Sequence, residues 1–356
     1  MQTCLALHAS YACRDRGDCC SAWEVPAETH VIEFVRSRTS TSSREPLFTA
    51  RDSRGGGTQL RIAHTGGACV FRTGGACEIH RDGGESALPV SCRHFPRVIL
   101  RDQRGTFTSL SHFCPTAAAL LFQPDGSLQR VAAGPSLACR EPIEGMDARE
   151  ALPPLLHPRM LADVEGYDAW ERSVIDTLAR AQAADPALDL IELATEDVRR
   201  WTPGQVSLAG AVRAAFTTPR RPVTTARHTR GLGIVRAMYR GDVSLDLPGD
   251  HAAAWQRLLP DHRRDLHRAI ANYLAARTFA NWIAYEGRGL RTVVAWLRAY
   301  HDVLRAIALS GRQEREALTQ DELLEAIRLT DLIMLHSIDS HAFATRALPL
   351  EQADAA

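Results

Sequence analysis

Residues 290–307 read LRTVVAWLRAYHDVLRAI, and this stretch decides the fold class. Its apolar side chains recur close to every 3.6 positions, and the stripe comprises Leu290, Val293, Val294, Leu297, Tyr300, Leu304 and Ile307. This spacing puts the stripe on one face of an α-helix, and such a face needs other elements to pack against. The stretch therefore predicts a long helix inside a mainly α domain.

Stretches on either side show the same period. One covers residues 161–178 and another covers 266–279, while Gly287 and Gly289 separate the latter from the stretch that begins at Leu290. Glycine weakens a helix, so this pair predicts a break between two helices. We interpret the aromatic and aliphatic stripes as core and not as a cofactor site.

A further helix is predicted near the end of the chain. Thr319 and Glu322 stand in capping-box spacing, and apolar residues follow at helical intervals as far as His336. With the helices before it, this predicts that residues 143–356 form an all-helical C-terminal domain.

Composition limits the functions that the chain can have. At 356 residues with 45% hydrophobic content, the chain is long enough for two domains. Its 42 acidic and 42 basic residues balance, and every basic residue is arginine, so no net field attracts nucleic acid and we expect no nucleic-acid partner. The longest apolar run, TAAALLF at 116–122, is too short for a bilayer, and no export signal opens the chain. We expect a soluble, cytoplasmic protein with no membrane partner.

The first third of the chain is rich in cysteine. Seven of the nine cysteines form an ordered series there: Cys13, Cys19, Cys20, Cys69, Cys77, Cys92 and Cys114. Dense thiolates bind zinc, iron or an iron–sulfur cluster where disulfides do not form, and the expected reducing compartment disfavours disulfides. Glycine pairs punctuate the same region. We therefore predict that residues 1–142 form a loop-rich N-terminal cysteine-cluster domain that binds metal.

The series leaves the number of metal sites open. Seven thiols exceed the four that one zinc ion or one cubane cluster needs, so either some are not ligands or there are two sites. Cys114 precedes Pro115 and a helical run, which predicts that its sulfur lies at a helix N-terminus, a position that favours thiolate. Cys4 and Cys139 stand outside the series, and we expect both to be incidental.

Charged residues near the cysteines are candidates for other roles. Arg93 and Arg97 flank Cys92, where they would bond sulfur or hold an anionic cofactor group, with a surface ion pair as the alternative. Three histidines are alternative ligands and three acids are candidate proton acceptors: His80, His94, His112, Glu24, Glu28 and Glu78.

Several of these motifs together resemble a known family. The run CCSAWEVPAETH from Cys19, then CVF, CEIH, LPVSCRHFPR and SLSHFCPTAAALL, is similar in order and neighbours to the FliB family of flagellin lysine-N-methylases and to related YkgJ-type cysteine-cluster proteins, which chelate zinc or iron. The match covers about a third of the chain. The resemblance implies an iron–sulfur cluster of the 4Fe–4S type, S-adenosylmethionine as methyl donor, and a protein substrate, flagellin in that family, with an acceptor lysine.

Two functions follow as hypotheses. The first is an iron–sulfur-dependent protein lysine N-methyltransferase of the FliB type, and the second is a non-catalytic zinc- or iron-binding module that serves structure or interaction. The residues alone do not favour a nucleotide-type methyl-donor fold, because the nearest glycine motif is a bare Gly231-Leu-Gly233. A closed site with four thiolates for each metal would favour the module, whereas an open coordination position would favour the enzyme.

Overall fold

The computed structural model describes residues 2–13, 17, 20–21, 25–38, 46–52, 58–123, 126–138, 145–204, 206–220, 230–310 and 317–352. Helices predominate in this part of the chain, which confirms the mainly α class. The helices are α1 Ala6–Ala9, α2 Thr29–Arg38, α3 Glu78–Gly83, α4 Val90–His94, α5 Pro115–Leu120, α6 Val164–Arg180, α7 Ala184–Arg199, α8 Leu208–Thr217, α9 Arg230–Met238, α10 His251–Leu258, α11 Arg264–Thr278, α12 Ile283–Glu286, α13 Leu290–Leu309, α14 Gln320–Asp331 and α15 Ser340–Gln352. None of the described helices is both long enough and apolar enough to cross a lipid bilayer.

The strands are short, and two of them form the main hairpin of the protein. They are β1 Gln2–Leu5, β2 Phe48–Asp52, β3 Thr58–Ile62, β4 His64–Thr65, β5 Ala68–Cys69, β6 Arg72–Thr73, β7 Ala76–Cys77, β8 Arg97–Asp102, β9 Gly105–Leu110, β10 Arg130–Ala132, β11 Met146–Asp147, β12 Leu155–His157 and β13 Met160–Leu161. One sheet has the order β10-β1-β9-β8-β11, in which β8 and β9 pair antiparallel while β1 and β11 add in parallel.

Helix α13 lies at the centre of the helical region. It packs against α7, α9, α14 and α15, and almost all of its side chains are buried. Its start is fixed by Glu351 of α15, whose carboxylate accepts hydrogen bonds from the Thr292 backbone N–H at 2.6 Å and the Thr292 hydroxyl at 3.0 Å. An acid at a helix N-terminus satisfies free N–H groups and complements the helix dipole. The prediction for residues 290–307 is confirmed.

The other two predicted stripes are also helical. The stretch 266–279 lies in α11, which packs against α6, and the stretch 161–178 lies mostly in α6, which packs in turn against α8. Asp163 caps α6 by accepting the Gly166 N–H at 2.5 Å. The break predicted at Gly287 and Gly289 is present between α12 and α13.

The end of the chain differs from the prediction. The capping box is present, since Glu322 accepts the Thr319 N–H at 2.8 Å and returns its own N–H to the Thr319 hydroxyl at 3.3 Å. The α-helix, however, ends at Asp331, and Leu332–Ser337 continues as a π-helix. Helix α15 then follows and was not predicted, because Pro349 argues against a helix interior.

The sheet corrects two expectations. The N-terminal region is less loop-rich than predicted, because β8 and β9 pair over six residues each, from Arg97 opposite Leu110 to Asp102 opposite Gly105. Their residues mix apolar and polar types without regular alternation, so the pattern does not predict strands. The second strand is nevertheless buried on both faces over most of its length. Residues 143–356 are also not all-helical, because the strands β11, β12 and β13 lie among them.

Two hydrophobic cores hold the described residues together. The main core crosses residue 142, since Leu5, Leu100 and Leu110 of the sheet belong to the same cluster as Tyr273 and Leu297 of the helices. A smaller core lies beneath α2 and consists of Ala27, Val31, Val35, Ile62, Phe71, Ile79, Ala87 and Leu88. The division of the chain at residue 142 stays a prediction.

A buried acid in α13 predicts a pH dependence of stability. Asp302 is 6% exposed, and its burial raises the pKa of the carboxyl to about 7, with Arg305 partly opposing the shift. Between the ordinary Asp pKa and about 7 the folded state binds more protons than the unfolded state, so the free energy of unfolding falls as pH rises through this window.

We expect Asp302→Asn to remove this loss. Between pH 5 and pH 8 the variant should gain about 2 to 3 kcal/mol relative to the wild type, at about 1.4 kcal/mol for each pH unit. Urea unfolding at both pH values measures the difference, with the exposed Asp242→Asn as the matched control. An equal pH dependence in the wild type and the Asp302 variant would show that Asp302 does not carry the shift.

Candidate metal centre

Two consecutive hairpins present two of the predicted ligands in the same way. The sequence TGGAC occurs at residues 65–69 and again at 73–77, eight positions later. The first copy joins β4 to β5 and ends at Cys69, and the second joins β6 to β7 and ends at Cys77. Both turns are glycine pairs with positive φ, 60° and 80° in the first and 60° and 84° in the second. Glycine adopts these angles without steric cost, so each turn is the tight type that suits a two-residue hairpin.

Backbone N–H groups point at both of these sulfurs. The Cys69 sulfur accepts the N–H of Phe71, and the Cys77 sulfur accepts the N–H groups of His80 and Ile79. Such hydrogen bonds favour the thiolate over the thiol and are typical of sulfurs that ligate metal. The loop after each hairpin therefore prepares its sulfur for negative charge.

Cys20 and Cys92 complete a group of four thiols with these two. The Cys69 N–H donates to the Cys20 carbonyl at 2.9 Å, and Ser21 forms a bridge with Ala68, which fixes the Cys20 segment beside the first hairpin. Burial raises the pKa of the Cys69 thiol to about 11 and that of Cys92 well above its ordinary value, and the neighbouring thiols raise both further. We call Cys20, Cys69, Cys77 and Cys92 the four-thiol group.

The four-thiol group is a neighbourhood and not yet a coordination shell. Among the described residues, no three Cys, His, Asp or Glu side chains are arranged closely enough to hold a metal ion. Cys19, a predicted ligand between Gly17 and Cys20, lies outside the described residues. Thiols that repel one another as thiolates come together when a cation binds, because the cation inverts the local electrostatics.

Two other predicted ligands meet elsewhere, around Tyr11. The Tyr11 hydroxyl lies 3.9 Å from the Cys114 sulfur, and burial together with Cys114 and Cys13 raises the Tyr11 pKa. Cys114 is the N-cap of α5 with Pro115 in the first turn, as predicted. The described members of the series thus divide into the four-thiol group and a pair, Cys13 and Cys114, beside Tyr11.

The two cysteines outside the series differ in what the structure says of them. Cys4 is fully buried in the main core, where burial raises the pKa of its thiol to about 11, as for a cysteine that packs and does not ligate. Cys139 lies outside the described residues.

The two predicted cofactor-binding arginines have different surroundings. Arg97 donates to the Ser136 carbonyl from Nε at 3.0 Å and from Nη2 at 2.6 Å, and its Nη1 donates to the Arg93 carbonyl at 3.2 Å. It therefore braces the backbone around α4. Arg93 has a buried Nε without a hydrogen-bond partner in the described part of the chain. Of the two, Arg93 keeps a donor for a ligand.

The acids and histidines near the cysteines have separate partners. Glu28 accepts the Val90 N–H at 3.3 Å, its other oxygen is buried with no partner among the described residues, and it lies near Cys92. Glu78 accepts the Thr73 hydroxyl at 2.6 Å, and His80 is exposed. His94 is buried, and Glu24 lies outside the described residues.

His112 belongs to a buried network that the sequence did not reveal. Its Nε2 lies 3.2 Å from His8 Nε2, and its backbone N–H donates to Asp331 of α14. Asp331 also accepts the Tyr273 hydroxyl at 2.8 Å and pairs with Arg277 at 3.5 Å. The signal was an acid inside the apolar pattern of the last predicted helix. The network fixes the segment that carries Cys114 against α11 and α14.

Comparisons with protein-family models, with curated proteins and with solved structures find no match for this chain.

Gly17 offers a test of how the cysteine loop is positioned. Its φ is 63°, and a Cβ at this position would overlap the carbonyl oxygen of Gly75 in the second hairpin. Gly66 has a φ of 60°, but a Cβ there would meet nothing within 4 Å. Alanine would strain the backbone at both positions. Only at Gly17 would its Cβ also collide with a neighbouring residue.

For the predicted metal centre, we expect Gly17→Ala to lower the metal content of each chain, because the added Cβ pushes Gly17, whose carbonyl accepts the Cys20 N–H, away from the hairpin. Gly66→Ala should cost about 1 kcal/mol of stability and keep its metal. Elemental analysis and thermal unfolding of both variants measure these effects. Equal metal content in the two variants would mean that the contact with Gly75 does not position a ligand.

Proposed function

We propose that the protein is an iron–sulfur-dependent protein lysine N-methyltransferase that resembles the FliB family and uses S-adenosylmethionine. The observation that carries the proposal is the four-thiol group, in which thiols from four separate segments lie near enough to influence one another and two of the sulfurs accept backbone N–H groups. The order of the cysteines and their neighbours, which resembles that family, supports it.

The donor set fits a metal centre of soft character. Four thiolates suit either a 4Fe–4S cluster or a tetrahedral zinc ion, and the N–H groups directed at Cys69 and Cys77 would offset their negative charge. Cys20, Cys69, Cys77 and Cys92 would hold this centre, with Cys19 as a further candidate. With three of these thiols as cluster ligands, one iron would keep a free position, which would supply a binding point for the amino and carboxylate groups of S-adenosylmethionine.

Two side chains near the four-thiol group suit roles in methyl transfer. The free Nε of Arg93 would bind a carboxylate of the methyl donor. Glu28, beside Cys92, would accept the proton that an acceptor lysine must lose before it can react. Arg93 and Glu28 are both candidates predicted from the sequence because they lie near cysteines.

The acceptor must belong to another molecule, because this chain contains no lysine. A protein with an exposed lysine is the proposed substrate, and flagellin is suggested by the family resemblance alone. The run of cysteines and glycine pairs leads us to place the metal centre in an N-terminal cysteine-cluster domain, residues 1–142. The balanced charge and the absence of a recognisable export signal lead us to propose a cytoplasmic protein without a nucleic-acid partner.

The alternative is a metal-binding module without catalysis. One observation favours it: the group that Cys20, Cys69, Cys77 and Cys92 form has four thiols, the number that closes one zinc site. A zinc ion held by four thiolates would stabilise the fold and leave no position for a ligand.

Metal and sulfide analysis of protein purified without oxygen distinguishes the two. We expect about four iron and four sulfide for each chain with a visible band that reductant bleaches, followed by transfer of labelled methyl groups from S-adenosylmethionine to a lysine-containing protein. Stoichiometric zinc without sulfide would reject the enzyme in favour of the module.

Cysteine variants locate the centre. Cys77→Ser should remove metal and lower stability together, because metal-binding energy is folding energy in such domains. Cys114→Ser should leave the metal of the four-thiol group in place, and Cys139→Ser, outside the series, is the control. Full metal content in the Cys77 variant would contradict the assignment, and complete loss in the Cys114 variant would join the two groups into one site.

The arginines give a second test. Arg97→Gln should lower stability by about 1 to 3 kcal/mol, since it leaves carbonyls of the α4 region without their charged donor. Arg93→Gln should leave stability unchanged and weaken S-adenosylmethionine binding about tenfold, as calorimetry on the metal-loaded protein would measure. If Arg93→Gln binds the donor as tightly as the wild type, Arg93 is not a cofactor ligand.

A further inference from the structure

A cavity of about 260 Å³ lies in the helical region. None of its lining residues is assigned to the proposed methyl transfer. It is bounded by the end of α11, by α12 and α13, by the π-helix and by the start of α15, with Val98 and Ser109 of the main hairpin on one side. Its polar and aromatic lining includes Asn281, Trp282, Glu286, Trp296, Tyr300 and His336. The volume is close to the lower end for small-molecule sites, roughly 300 Å³.

The backbone is unusual at two places on the cavity wall. Ala280 has a φ of 57°, a left-handed conformation that residues other than glycine rarely adopt. The π-helix brings His336 to the opposite wall, and its last turn is closed by the Ile338 N–H and the Ile333 carbonyl at 2.9 Å. Single π-helical turns and strained residues recur at ligand sites, because the surrounding fold must hold them.

Two polar atoms of the lining residues are buried without partners. The Oε2 atom of Glu286 and the amide nitrogen of Asn281 make no hydrogen bond within the described residues. The Asn281 side chain is held in place by its own oxygen, which accepts the Ile283 N–H at 3.2 Å. An unpaired buried polar atom has lost its hydrogen bonds to water without a replacement, so a ligand that satisfies both atoms would be stabilised.

Of the three basic side chains in the lining, Arg277 and His336 already have partners, and His341 is exposed. Arg277 pairs with Asp331 at 3.5 Å, and it donates to the Ser109 hydroxyl at 3.2 Å and to the Leu110 carbonyl. Burial lowers the pKa of His336 to about 4, and its Nε2 lies 2.9 Å from the Ser111 hydroxyl. Among the described residues of the lining, the Oε2 atom of Glu286 is the buried carboxylate oxygen without a hydrogen-bond partner.

Two tryptophans that line the same cavity are held in place by their contacts. The Trp282 indole donates to the Ile99 carbonyl at 2.9 Å. The Trp296 ring packs edge-on against Phe343 at 4.6 Å and against Tyr300 at 5.4 Å between centroids. Indole faces attract cations through their quadrupole, most strongly where water is excluded.

We propose that this cavity is a binding site for a small organic cation, a primary or methylated ammonium that also carries a hydrogen-bond acceptor. The ammonium lies against the tryptophans with Glu286 as its counter-charge, and the acceptor takes the free amide N–H of Asn281. The site requires no metal, so it stands or falls independently of the proposed methyl transfer.

Calorimetric titration of the full-length protein tests the proposal with choline, with its neutral isostere 3,3-dimethyl-1-butanol and with butyrate. We expect choline to bind at least about tenfold more tightly than the isostere, and butyrate not to bind. Since choline and the isostere have the same shape, their ratio reports charge recognition in the wild type without any variant. Equal binding of the two, preference for butyrate, or no choline binding at millimolar concentration would overturn the proposal.

A matched pair of variants assigns the charge to its residue. Glu286→Gln keeps the side-chain shape and should reduce the ratio of choline affinity to isostere affinity to about one. The exposed Glu165→Gln should leave this ratio unchanged. Both variants should keep the metal content of the wild type, which separates this result from any failure of the metal centre. A choline preference that survives in Glu286→Gln would reject Glu286 as the counter-charge.

Discussion

The interactions of the buried Asp331 carboxylate hold the helices and the main sheet in their relative positions. Burial alone would raise its pKa, but Arg277 and the hydrogen bond from His112 hold it well below the ordinary value, so it stays charged inside the core. It joins three parts of the chain: α14, which carries it, α11 through Tyr273, and the segment after β9 through the His112 N–H. A buried charge with a missing partner is costly, so the three parts hold one another in place. Cys114 follows His112 by two residues, and Arg277, the ion-pair partner of Asp331, lines the cavity of the proposed cation site.

Helices could be predicted from the sequence wherever one face of a regular period is buried. Three local signals were enough to predict helices or their ends: the apolar stripe of α13, the capping box at Thr319 and Glu322, and the glycine break before Leu290. The β8–β9 hairpin was not predicted, because its buried strands mix apolar residues with threonine and serine that find partners in tertiary structure. Ser109, for example, donates to the Ala276 carbonyl of α11 at 3.0 Å, and no local pattern encodes that bond.

The same limit applies to the candidate metal centre. The ordered cysteines could be recognised from the sequence as potential ligands, but their division into the four-thiol group and the pair beside Tyr11 could not. That division depends on where the two glycine hairpins point their sulfurs and on how the Cys20 segment pairs with the first hairpin. Arg93 and Arg97 both follow Cys92 within five residues, and the carbonyl of Ser136, 39 residues after Arg97, is what makes them different.

The ion pairs in the core of this protein use arginine alone as the cation. Arg104, Arg130, Arg277 and Arg298 pair with buried or half-buried carboxylates, and no lysine exists anywhere in the chain. A guanidinium keeps its proton at any pH at which a protein is handled, whereas an ammonium loses it in strong alkali. In these ion pairs the carboxylate is therefore the partner that changes charge with pH. The protein should tolerate alkaline media in which a buried lysine would lose its charge.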